Sequence, residues 1–164
     1  MKVSEFIDMT VLDKEAHEVG KVAEIAVKLK KCLVDKIFIS TGGALNKKYF
    51  AVAEGDIANI GDYVQLKLDK YGIEQRVHVD KLTDFLPKGN HFKDLVGKKV
   101  LSQEGIEVGK ISDMLIDPKG CLIHNIVISA GTALNKKQFL VSDEDIKSIG
   151  DFIILKLTKE EVEG

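Results

Sequence analysis

Apolar and polar residues alternate along this chain in short runs separated by turn residues. The clearest stretch sets Val64, Leu66 and Leu68 between Gln65 and Lys67. A period of two marks strands with one buried face. In the second half the pattern predicts a strand over 108–116, turn chemistry at Asp117-Pro118-Lys119-Gly120, and a return strand over 121–129. The same turn in the first half falls at 28–31, without Pro or Gly. A small-residue loop follows (41–44 and 130–133), then a third strand over 49–53 and 138–142. Residues 56–60 and 145–149 read as a single helical turn, with Asp56 and Asp145 near its N-terminal end. Gly61-Asp62 and Gly150-Asp151 turn into a last strand, over 63–68 in the first half. Gln103-Glu104-Gly105 signals another hairpin, which adds a first strand near 99–102 and near 9–12.

These elements occur twice. Shifted by 89 positions, residues 18–70 fall on 107–159 without a gap, and about half of the aligned positions are identical. Unrelated segments would share only about three. Glu18-Val19-Gly20-Lys21 recurs as Glu107-Val108-Gly109-Lys110, and Ala44-Leu45-Asn46-Lys47-Lys48 as Ala133-Leu134-Asn135-Lys136-Lys137. A repeat this long suits a unit with its own core. The chain therefore divides into a first unit over 1–74, an ordered connector over 75–89 and a second unit over 90–164. The connector is expected to begin with an extra strand over 75–79 and to continue as a short helix over 80–86, ended by Pro87, before a turn at Gly89-Asn90. Val77, Val79, Leu82, Phe85 and Leu86 are expected to be buried. Five or six short strands per unit predict an all-β protein of two tandem small barrels, closed or nearly closed, related by internal duplication and a pseudo-twofold axis.

Composition narrows the function. Of 164 residues, 45% are hydrophobic and 30% charged, the balance of a globular protein; Trp is absent and aromatics are only 6%, so the core rests on Ile, Val and Leu. The net charge of −2 provides no global field for nucleic acid. Residues 1–8 mix charges with apolar side chains, unlike a secretory leader, and no apolar run approaches the roughly 18 residues of a membrane span. A cytoplasmic location is expected. Cys32 and Cys121 lack a C-x-x-C partner and read as buried thiols.

Candidate chemistry is sparse. His17, His78, His91 and His124 are scattered without metal-ligand spacing, so no metal site and no cofactor is expected. His124 stands where Asp35 stands in the first unit and is expected to face solvent. Gly42-Gly43 with Lys47 lacks the phosphate-loop pattern, and small residues there serve the backbone. The acidic groups at 54–56 and 143–145 read as caps on exposed turns. The candidate interaction residues are Asn46, Lys47 and Lys48 with their copies Asn135, Lys136 and Lys137. They read either as a duplicated basic contact for an acidic protein, RNA or lipid, or as lysines blunting a strand edge with Ala44 and Leu45 buried. No aromatic platform for nucleic acid accompanies them.

The Val-Gly-Lys strand starts (Val19 to Lys21, Val108 to Lys110) are each followed by an acidic position, Glu24 or Asp113. The Asp-Ile-x-x-Ile-Gly-Asp runs come later (Asp56 to Asp62, Asp145 to Asp151). In this order, twice over, they resemble the PRC-barrel family. The resemblance implies a non-enzymatic binding or assembly module with protein partners or with itself as partner. Archaeal relatives act in cell division, and the alternative the family suggests is ribosome maturation or RNA processing. It carries over no catalytic residue.

Overall fold

The computed structural model describes residues 1–31, 33–86, 90–117, 119, 122–132 and 134–164, with the side chains of Lys30, Leu33 and Leu122 outside that description. Cys32 and Cys121, the Pro and Gly of the turn at 117–120, and Pro87 and Gly89 lie outside it too. The first half contributes β1 (Thr10–Leu12), β2 (Glu18–Lys28), β3 (Leu33–Thr41), β4 (Lys48–Val52), β5 (Ile57–Ile60) and β6 (Val64–Leu66). The second contributes β7 (Lys99–Leu101), β8 (Glu107–Asp117), β9 (Leu122–Thr132), β10 (Asn135–Val141), β11 (Ile146–Ile149) and β12 (Ile153–Leu155). Four short helices accompany them: α1 (Val3–Phe6), α2 (Lys70–Glu74), α3 (Phe92–Leu95) and α4 (Lys159–Glu163).

Each half is a curled six-stranded sheet. In the first, β4, β3, β2, β1, β6 and β5 are neighbours in that order, all antiparallel except the parallel pair β1–β6. The second repeats this with β10, β9, β8, β7, β12 and β11. Even the irregularities are duplicated: the register shifts at Val22/Glu24 and at Ile111/Asp113, and again at Ala26/Val27 and Leu115/Ile116. Such bulges bend a strand and increase its twist, which curls a sheet this small into a barrel. Gly20 and Gly109 permit the close approach beside the first bulge. A Cβ at Gly20 would lie 1.7 Å from the Ser40 carbonyl oxygen, and one at Gly109 2.5 Å from that of Ser129.

The halves join where β3 meets β9 antiparallel at Leu33 and Leu122. These are equivalent positions of the repeat, so the pseudo-twofold axis passes through this pair. They also exchange their first segments. Met1 accepts from the Ile116 N–H at 2.8 Å, and Lys2 bridges Leu115. Equivalently, Asn90 accepts from the Val27 N–H at 2.7 Å, and His91 bridges Ala26. α1 and α3 have no side-chain cap from their own N-cap residues. The other half supplies one: buried Asp113 accepts from the Ser4 N–H at 3.1 Å and from its hydroxyl, and buried Glu24 accepts from the Lys93 N–H at 3.0 Å. The two acidic positions that mark the family resemblance therefore hold the two halves together. One apolar cluster runs through both, including Phe6, Ile39 and Phe50 on one side and Leu95, Met114 and Ile128 on the other.

Several sequence expectations need correction. Residues 57–60 and 146–149 are strands, not a helical turn; single 3-10 turns, Glu54–Asp56 and Asp143–Asp145, precede them. Asp56 and Asp145 sit at the ends of those turns and reach back to the Ala53 and Ser142 N–H groups. The isoleucines at 57 and 60 satisfy a helical spacing, but β-branched residues beside a partner strand pair instead. Residues 75–79 form no strand: α2 ends at Glu74, and only Val79 bridges Tyr49. Val77 is 71% exposed, not buried. The expected helix over 80–86 is one 3-10 turn, Leu82–Asp84. The connector is nonetheless anchored, because Phe85 stacks on Phe38 with ring centroids 5.8 Å apart.

Candidate functional site: two hairpin tips and one cavity

The β3–β4 and β9–β10 hairpins are built alike. Thr41 pairs with Lys48 as Ala130 pairs with Lys137, and Gly42 and Gly131 take φ of +85° and +91°. A Cβ there would come within 2.4 Å of the Asn46 carbonyl oxygen or 2.1 Å of that of Asn135. The small-residue loop thus serves the backbone. It carries its side chains outward: Asn46, Lys47, Lys48, Asn135, Lys136 and Lys137 are all exposed.

The edge-blunting reading expects Ala44 and Leu45 to be buried, and both are exposed. Leu45 is 97% exposed and Leu134 100% exposed. A leucine kept in both copies without a place in either core has no packing reason to be there. Sequence reasoning missed it because an apolar residue before a strand reads as core; the block of five identical residues was the available signal. The tips differ in one respect. Lys48 donates to Asp80 at 2.8 Å, whereas Lys136 and Lys137 have no ion pair among the described residues. Since β3 and β9 run in opposite directions from the axis, the tips lie at opposite ends of the molecule. Each tip carries two adjacent lysines, four of the 24 basic side chains of the protein.

At the outer end of the first unit is a half-open cavity of about 490 Å³, with Val19 and Ile73 as apolar lining and Glu18, Glu74, Lys70 and His78 as polar lining. Asp13 and His17 also line it, and with Glu15 they bring carboxylate and ring atoms within 4.8 Å of one another. Asp13 serves its own loop. One oxygen accepts from the Glu15 and His17 N–H groups at 2.9 Å, and the other faces the His17 ring at 3.3 Å. Burial alone would raise the Asp13 pKa, but these contacts outweigh it and hold the carboxyl below the ordinary range. Ser102 caps the matching loop of the second unit. Among the described residues no nucleophile pairs with a base here, since the Thr41 hydroxyl donates to the Val19 carbonyl at 2.8 Å and His78 Nδ1 is held by the Arg76 carbonyl at 2.8 Å.

The acidic turns are less exposed than expected. Asp56 is half-buried and takes two hydrogen bonds from Arg76, at 2.7 and 3.1 Å. Burial pushes its pKa up, but the Arg76 guanidinium and the Ala53 N–H more than reverse this, so it stands lowered. His124 faces solvent as expected.

Residues 87–162 match the family model of the PRC-barrel domain. The chain carries a PRC-barrel domain. The first half repeats its strand order, pairing and register shifts, which makes the protein a tandem of PRC-type units. No curated protein matches the chain. PRC-barrel domains are small, generally non-catalytic protein-interaction modules. No helix among the described residues is long and apolar enough to cross a membrane.

Proposed function

We propose that this PRC-barrel protein is a cytoplasmic, non-catalytic adaptor for assembling proteins, and that the process it serves is archaeal cell division. The units are residues 1–74 and 90–164, joined by 75–89. One observation carries the adaptor reading: the pseudo-twofold arrangement holds two tips of the same Leu-Asn-Lys-Lys sequence in opposite directions, with Leu45 97% and Leu134 100% exposed. An apolar side chain flanked by cations fits a protein surface with an apolar recess and an acidic rim. The process rests on family resemblance alone.

Affinity capture from a lysate of the source organism, with and without nuclease, tests this reading. Division-ring or envelope proteins that survive nuclease and are lost when both tip leucines become Ser support it. Ribosomal proteins or RNA lost on nuclease treatment replace it with the ribosome-maturation reading.

A further inference from the structure

The tip of the second unit and the cavity of the first are complementary. Leu134 is wholly exposed, and beside it Lys136 and Lys137 form no ion pair among the described residues. The cavity offers Val19 and Ile73 as apolar surface; Glu18 and Glu74 stand exposed at it without ion pairs among the described residues and outnumber its lysine, Lys70. The two features also face opposite ways. The cavity sits beside Thr41, at the far end of β3 from the axis; the Leu134 tip lies beyond β9, which runs from the axis in the other direction. The strands, rising about 3.3 Å per residue, keep the two ends too far apart for a tip to reach the cavity of its own chain.

We infer that the cavity of one molecule receives the Leu134 tip of a second copy. The leucine enters against Val19 and Ile73 while Lys136 and Lys137 face Glu18 and Glu74. This inference deepens the interaction-module reading and rests on it. Because donor and acceptor lie at opposite ends, the contact is head-to-tail and leaves one free end of each kind, so association continues past the dimer. The Leu45 tip is the poorer donor, since Lys48 is already held by Asp80.

Sedimentation velocity of the full chain tests the inference. The sedimentation coefficient should rise with concentration past that of a dimer and fall on adding salt, which screens the lysine–glutamate contacts. Leu134→Ala should weaken association about ten- to hundred-fold, as expected for withdrawing one leucine from an apolar recess. Leu45→Ala should change it little. The deciding experiment pairs Leu134→Glu, which lacks a donor, with the double variant Glu18→Lys/Glu74→Lys, which lacks an acceptor. Each should be monomeric alone, and a mixture should form one-to-one dimers and nothing larger. Unchanged circular dichroism of both variants excludes misfolding. A wild-type protein that is monomeric at every concentration, one that stops at a dimer, or a mixture that stays monomeric overturns the inference. Any of these beside successful tip-dependent capture of a different protein leaves the adaptor reading standing.

Discussion

Replacing Glu24 by Ala tests whether the two units hold each other through their exchanged segments. The Glu24 carboxylate is fully buried and makes three contacts: the Ile25 N–H at 2.9 Å, the Lys93 N–H at 3.0 Å and the His91 ring at 3.1 Å. Alanine leaves two backbone donors without an acceptor where no protein group replaces it. Each such group costs about 1–3 kcal/mol. A loss of about 3–4 kcal/mol follows, a large share of the roughly 5–15 kcal/mol that holds a protein folded. At this chain length it lowers Tm by about 10 °C. Urea unfolding followed by circular dichroism measures the first quantity and a thermal scan the second. Hydrogen exchange supplies the specific signature: protection should fall over residues 90–95, which belong to the second unit, although the mutation is in the first. Asp113→Ala should show the mirror result over residues 1–6, because Asp113 holds the Ser4 N–H. A loss below about 1 kcal/mol, or lost protection confined to the mutated unit, would refute the reciprocal arrangement.

Three further outcomes are expected. Gly20→Ala should destabilise by about 2 kcal/mol or more in urea unfolding, since its Cβ would overlap the Ser40 carbonyl, whereas Gly61→Ala, with nothing within 4 Å, should stay within about 0.5 kcal/mol of wild type. The lowered Asp56 pKa means that its ion pair stabilises the fold above the unfolded carboxyl pKa near 3.9 and is lost as pH falls through the lower folded value. Stability should therefore drop below about pH 4, and less steeply in Arg76→Ala, as read by urea midpoints across pH. Leu45→Ser with Leu134→Ser should leave stability within about 0.5 kcal/mol of wild type, because neither side chain packs on anything; a larger loss would show that the tips serve the fold.

The sequence by itself determined the duplication, the strand content and the family. Each is written in local patterns: alternation such as Val64 to Leu68, turn residues such as Gly61-Asp62, and blocks repeated at a fixed offset. It also pointed to the tip residues at positions 46–48 and 135–137, and to Glu24 and Asp113 as marked positions. What Glu24 and Asp113 hold was settled by contacts between distant parts of the chain. The Glu24 to Lys93 and Asp113 to Ser4 bonds span 69 and 109 positions, and no local pattern encodes a partner that far away. The parallel β1–β6 pair is likewise invisible to a periodicity, which reports the face a residue takes and not the neighbour its strand finds. Residues 57–60 show the limit at its shortest range, since Ile57 and Ile60 fit a helix and a strand equally until β6 lies alongside. Leu45 and Leu134 show it for the candidate site: hydrophobicity predicts burial on average, and only the path of the folded backbone places these two in solvent at opposite ends of the molecule.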